Sequence, residues 1–239
     1  MPHPITIASL LCAGLLFAAP PLQDKKKETP PKDTKAAKPA EDQPEPTEKV
    51  LIDFEKCALD KPPPDFTLVP SSQGAAGVWA VKEEGKKRVL AQTLADKTDF
   101  RFPVLIYDKL SAKNVSVSVK LKTVSGELDQ AGGVIARFKD AKSYYLTRAN
   151  ALEGNVGLYR VVGGVRQQFA DSKQKVTANE WHTLKLEITD THFKVSYDDK
   201  LIIEADDPTH QEAGKAGVWT KSDSVTYFDD LEIASFDEE

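Results

Sequence analysis

Cysteine is almost absent: the chain holds two, Cys12 and Cys57. Cys12 lies in an apolar leader, and once the leader is removed Cys57 has no intrachain partner. That excludes a disulfide framework and leaves Cys57 to read as a small buried hydrophobe. Histidine is also scarce, with four residues and no metal-ligand spacing among them. There is no basic excess. Lysine and arginine number 32 against 37 acids, a net charge of −5, so the electrostatic footprint of a nucleic-acid binder is missing. No apolar run is long enough to span a bilayer comfortably. No stretch of helix length sustains a 3.6-residue apolar period, which excludes a helical fold.

The chain does contain a leader, a spacer and a long series of short strands. Ile5–Ala19 (ITIASLLCAGLLFAA) matches a signal-peptide core, with cleavage expected near Ala18–Ala19 and lipidation at Cys12 as the alternative. Residues 20–49 are Lys, Glu, Asp, Pro, Ala and Thr with few apolar side chains, so they cannot offset their ordering entropy and read as a disordered linker. Residues 50–236 are expected to form one domain, placed outside the cytoplasm as a secreted or periplasmic protein with no membrane span after signal removal.

Within the domain, period two dominates. Asn114–Lys122 (NVSVSVKLK) places Val115, Val117, Val119 and Leu121 on one face. Trp181–Thr189 does the same with Leu184, Leu186 and Ile188, and Phe193, Val195 and Tyr197 follow suit. Pro62-Pro63-Pro64 marks a loop. About thirteen such strands, joined by polar turns, predict an all-β fold, a two-sheet antiparallel jelly-roll sandwich.

Asp129–Asn150 (DQAGGVIARFKDAKSYYLTRAN) is the centre of this pattern and carries the best ligand candidates. Val134, Ala136 and Phe138 read as the buried face, which sends Arg137 to the opposite, outer face. Tyr145 is expected beside Arg137, because Tyr144 and Leu146 read as inward; the same alternation points Arg148 inward unless a bulge intervenes. Asp129, Gln130 and Asn150 flank the hairpin ends. Donors, acceptors and an aromatic face on a rigid sheet suit a hydroxyl-rich ligand. Trp219 falls opposite Val218 and shares a face with Lys221, and Asp223 follows in the next loop, so these three join the candidates. Trp181 reads as structural.

Gly132-Gly133-Val134 leading to Arg137, Tyr144-Tyr145-Leu146, Trp181-His182, Gly217-Val218-Trp219 and Phe228-Asp229-Asp230 together resemble the concanavalin A-like lectin and glucanase superfamily. Within it they are similar to exported bacterial laminin-G-like domains and to the 3-keto-disaccharide hydrolase group. The resemblance covers about Val50 to Ala234 and implies a glycan or other extracellular ligand as partner. It also implies a test for catalysis. Family 16 glucanases carry Glu-x-Asp-x-x-Glu on one strand. Glu127-Leu128-Asp129 begins such a motif, but Gly132 stands where its last Glu belongs, so no catalytic residue is expected. No cofactor is expected either. A structural calcium is the one metal with a rationale, because Asp53, Glu55, Asp229 and Asp230 could meet if the first and last strands are neighbours. The expected function is non-catalytic binding; a hydrolase like the 3-keto-disaccharide group and a purely adhesive domain are the alternatives.

Overall fold

The structure is a computed structural model that describes residues 45–237. The leader 1–19 and most of the spacer lie outside the described residues. Fifteen strands follow in chain order, and the described residues contain no helix. The first five are β1 (Glu48–Ile52), β2 (Phe66–Val69), β3 (Trp79–Glu84), β4 (Lys87–Gln92) and β5 (Val104–Ala112). Then come β6 (Asn114–Ser125), β7 (Ala131–Asp140), β8 (Ser143–Asn150), β9 (Asn155–Val162) and β10 (Val165–Ser172). The last are β11 (His182–Thr189), β12 (His192–Tyr197), β13 (Lys200–Asp206), β14 (Gly214–Thr220) and β15 (Val225–Phe236).

They form two antiparallel sheets, the jelly-roll sandwich that the alternation predicts. The eight-stranded sheet runs β13-β12-β11-β6-β15-β4-β3, with β1 added on β15. The seven-stranded sheet runs β10-β9-β8-β7-β14-β5-β2. First and last strands are indeed neighbours, Val50 opposite Ile233. Strand β2, unmarked in the sequence after its run of prolines, pairs with β5 through Leu68 and Leu105.

The core lies between the sheets. Val115, Val117, Val119 and Leu121 of β6 meet Leu184, Leu186 and Ile188 of β11, and all are fully buried. Each such side chain contributes roughly 1.5–3 kcal/mol on leaving water. Val134, Ala136 and Val218 close the core from the seven-stranded sheet.

That sheet departs from the ordinary antiparallel pattern of one dry and one wet face. Its outer face carries a second apolar layer: Val104 and Ile106 of β5, Ile135 of β7, Tyr144 and Leu146 of β8, Tyr159 and Val161 of β9, and Trp219 of β14. Strands β7 and β8 are therefore buried on both faces through most of their length.

Candidate functional site on the outer face of the seven-stranded sheet

A bulge in β7 decides which side chains reach this face. Ile135 pairs with Gly217 and Phe138 with Lys215, so Ala136 and Arg137 together oppose the single residue Ala216. Arg137 takes φ 49°, a left-handed value for a non-glycine residue. The extra residue reverses the phase of the strand. Ala136 packs in the inter-sheet core, while Phe138 packs against the outer layer with Ile135.

Arg137 consequently does not stand on the outer face. It is 0% exposed. Its Nε donates to Lys113 O at 2.7 Å, Nη1 to His210 O at 2.8 Å and Nη2 to Asp190 O at 2.7 Å. A guanidinium can be buried when backbone carbonyls satisfy it, which the expectation for this residue did not allow.

Tyr145 is also inside. Its ring meets Phe193 edge-on at 4.6 Å, across the core. The hydroxyl donates to Asp207 Oδ1 at 2.6 Å and accepts the His210 N–H at 2.9 Å. Burial, reinforced by the Asp207 contact, pushes its pKa up to about 12. The phase of β8 is thus opposite to the expected one: Tyr144 and Leu146 belong to the outer layer, and Arg148 lies over the outer Tyr159 ring at 5.5 Å.

At one end of the outer face, charged and amide side chains satisfy one another. Lys221 Nζ contacts Asp129 Oδ2 at 2.5 Å, and Asn150 Nδ2 donates to Asp129 Oδ1 at 2.9 Å. Asn150 also donates to Glu153 Oε1, and Arg148 donates to Glu153 Oε2 at 2.7 Å and Asn155 Oδ1 at 3.2 Å. Burial opposes charge on Glu153, but the Arg148 guanidinium and the Asn155 amide outweigh it and hold the carboxyl below the usual range. Asp129, Arg148, Asn150 and Lys221 are therefore brought together. Gln130 and Asp223 serve the adjoining loop instead: Gln130 Nε2 donates to Thr123 O at 3.0 Å. Asp223 accepts the backbone N–H groups of Glu127, Leu128 and Asp129 at 2.7–3.2 Å.

Trp219 faces outward from the core as its alternation with Val218 implies, yet it is 0% exposed. Phe102 stacks on it at 5.5 Å, and Arg166 covers it from β10. Arg166 is the residue that the sequence reading missed. Its guanidinium carbon lies 4.6 Å from the Tyr159 ring, 5.0 Å from Phe102 and 5.5 Å from Trp219. Burial is the strongest influence on it and pulls its pKa below the ordinary guanidinium value. The signal for it was present, since the Gly163-Gly164 turn sets Val165 opposite Val162 and hence Arg166 opposite Val161, beside Tyr144.

Next to this stack the outer face opens into a cavity of 420 Å³. Val69, Val104, Phe102 and Tyr144 line it, with Lys142, Ser72 and the Gly163-Gly164 turn. No carboxylate, imidazole or thiol is among the lining residues described. Burial pushes the Tyr144 hydroxyl up to about 12, so it stays neutral and can both donate and accept.

The acids offered for catalysis or calcium lie apart from the cavity lining. Glu127 is an exposed partner of Lys97 at 2.7 Å. Gly132 faces the core, where an added Cβ would meet Thr226 Cγ2 at 2.6 Å, so a glutamate there would not reach the outer face. Asp229 answers Lys87 at 2.9 Å and Asp230 answers Lys120 at 2.7 Å. Among the described residues no group of three or more His, Cys, Asp or Glu side chains is placed to hold a metal. Trp181, read as structural, precedes β11 and is 37% exposed.

Comparison with known proteins bears on the family and the fold. The model of the 3-keto-alpha-glucoside-1,2-lyase-like domain matches residues 72–234. The levanase of Bacillus subtilis (strain 168) is 30% identical over 146 residues, which cover 60% of this chain and 20% of the levanase. Among solved structures, the carbohydrate binding module CBM66 of Bacillus subtilis superposes with a TM-score of 0.57 at 22% identity, over 70% of this chain and 94% of the module. A β-glucanase of Bacillus licheniformis follows at 0.52 and 11% identity, over 72% of this chain and 92% of the glucanase. The fold is thus the concanavalin A-like sandwich of carbohydrate-binding modules and glucanases.

Proposed function

We propose that this chain, which belongs to the family of 3-keto-alpha-glucoside-1,2-lyase-like domains, is an exported module that binds carbohydrate in the cavity on the outer face of its seven-stranded sheet and does not turn it over. One observation carries the reading: a 420 Å³ opening walled by Phe102 and Tyr144, with no acid or imidazole among its described lining residues. Its volume suits a small ligand. Aromatic and aliphatic walls accept the C–H faces of a sugar ring. The Tyr144 hydroxyl, the Lys142 ammonium and backbone groups of the Gly163-Gly164 turn can answer its hydroxyls. General acid/base chemistry needs a proton-transferring group within reach of the reacting bond, and the described lining holds no carboxylate, imidazole or thiol.

The similarity to CBM66, a carbohydrate binding module nearly all of whose length is matched, supports the same reading. Export rests on the Ile5–Ala19 leader and the spacer behind it.

Calorimetric titration of the full chain with a panel of oligosaccharides is the test. At least one should bind, and Phe102→Ala should weaken it by about 1–3 kcal/mol, the usual worth of a stacked aromatic together with its lost area. A 3-keto-α-glucoside incubated with the chain should remain intact. Release of an eliminated or hydrolysed product would overturn the non-catalytic reading, and unchanged affinity in Phe102→Ala would move the site off this face.

A further inference from the structure

The cavity beside Phe102 changes character with depth. Its buried lining residues are Val69, Val104 and Tyr144, which are 8%, 3% and 2% exposed. Val69 and Val104 stand directly opposite each other on β2 and β5, and all three belong to the apolar layer of the outer face. On these three residues the Tyr144 hydroxyl is the one polar side-chain atom. Phe102 is half-buried. The other lining side chains that carry a hydroxyl or an ammonium, Ser72 and Lys142, are exposed, and so is the Gly163-Gly164 turn. The inner wall is thus a stretch of apolar layer, and the hydrogen-bonding groups gather at the rim.

A sugar ring carries hydroxyls around its whole edge, and each one buried without a partner costs free energy. One phenol cannot answer all the hydroxyls of a ring seated against two valines. At the rim the same ring meets the Ser72 hydroxyl, the Lys142 ammonium and the turn backbone, with the Phe102 face for its C–H side. Val69, Val104 and the Tyr144 ring are then left for a group without hydrogen-bonding needs, and covering them removes further apolar area from water. Resting on the carbohydrate-binding reading of the cavity, we infer that its ligand is a sugar bearing an apolar substituent, with the sugar at the rim and the substituent against Val69, Val104 and Tyr144. An aryl aglycone and an O-linked acyl chain share that chemistry.

The test is calorimetric titration of the full chain with methyl, phenyl and O-butyryl methyl glycosides of glucose, galactose, xylose and fructose. On at least one sugar the phenyl or the butyryl compound should bind at least about tenfold tighter than its methyl parent, with a more negative heat-capacity change, the mark of apolar burial. Which of the two binds tighter separates an aglycone from an acyl chain. Val69→Phe fills the inner wall from β2, an edge strand, and should abolish that advantage. Val69→Thr keeps the branched shape and adds a hydroxyl to the wall; it should shrink the advantage even where the larger substitution fails to fold. Phenol and methyl butyrate are the controls. A glycoside bound no tighter than its free apolar group would overturn the carbohydrate reading and the inference with it, as would binding by none of the compounds. Equal affinity for all three glycosides of every sugar that binds, or an advantage unmoved by either variant, would overturn the inference and leave carbohydrate binding standing.

Discussion

Arg137→Met is the substitution whose outcome most directly separates a structural guanidinium from a ligand-binding one. The three carbonyls to which Arg137 donates belong to three connections: Lys113 between β5 and β6, Asp190 between β11 and β12, and His210 between β13 and β14. Two of those connections cross from one sheet to the other, so the side chain fastens both sheets at this end of the sandwich. Methionine keeps the apolar stem and removes the fork. Summing three charge-assisted bonds at about 1.5–3 kcal/mol each would overstate the loss, because removing the charge also relieves its desolvation and water can reach turn carbonyls. A loss of about 3–4 kcal/mol is expected, near the range for breaking a buried charged arrangement by deleting one partner. For a domain of this size that lowers Tm by roughly 10 °C. Urea unfolding of the full chain, followed by tryptophan fluorescence, should show the midpoint shifted and the slope unchanged. Arg137→Lys should recover little, since one ammonium cannot serve three divergent acceptors. A loss under about 1 kcal/mol, or full rescue by lysine, would refute the account.

Two further outcomes follow from the core and the loop beside the site. Val117→Ala and Leu186→Ala should each cost about 2–4 kcal/mol in the same unfolding assay, from lost transfer energy plus a cavity. Because the two residues are opposite partners in β6 and β11, the double variant should depart from additivity. Asp223→Asn should show a pH-dependent deficit. Burial alone would raise the Asp223 carboxyl, but the N–H groups of Glu127, Asp129 and Leu128 outweigh it and hold the pKa below the usual carboxylate value. A folded pKa below the unfolded one means stability that is present above the unfolded pKa and lost as pH falls through the folded one. The gap between wild type and variant should therefore be widest near neutral pH and narrow below about pH 4, where the unfolded carboxyl protonates. A gap constant across that window would mean the charge does not matter.

The sandwich is legible in the sequence because strands with one dry face declare their phase. In β6 the alternation of valine with serine and lysine admits a single facing, and Val117 and Val119 lie where it puts them. Strand β2 is illegible for the complementary reason: four residues after a proline run carry too little pattern, and only pairing with β5 defines them. The site is hard to read because β7 and β8 are apolar on both faces, so alternation gives two phases of equal merit. In β7 the bulge at Arg137 then reverses the phase within the strand, so Val134 and Phe138 point to opposite faces although both occupy even positions. Polarity cannot arbitrate, since a core that supplies three carbonyls accepts an arginine as readily as the outer face does. Turn geometry can. The Gly163-Gly164 turn fixes the register of β10 on β9, and β9 in turn lies on β8, so Arg166, Val161 and Tyr144 share a face whatever the facing of either neighbour. A sequence argument that starts from that turn reaches an arginine beside a tyrosine on one face without assigning any residue to the core.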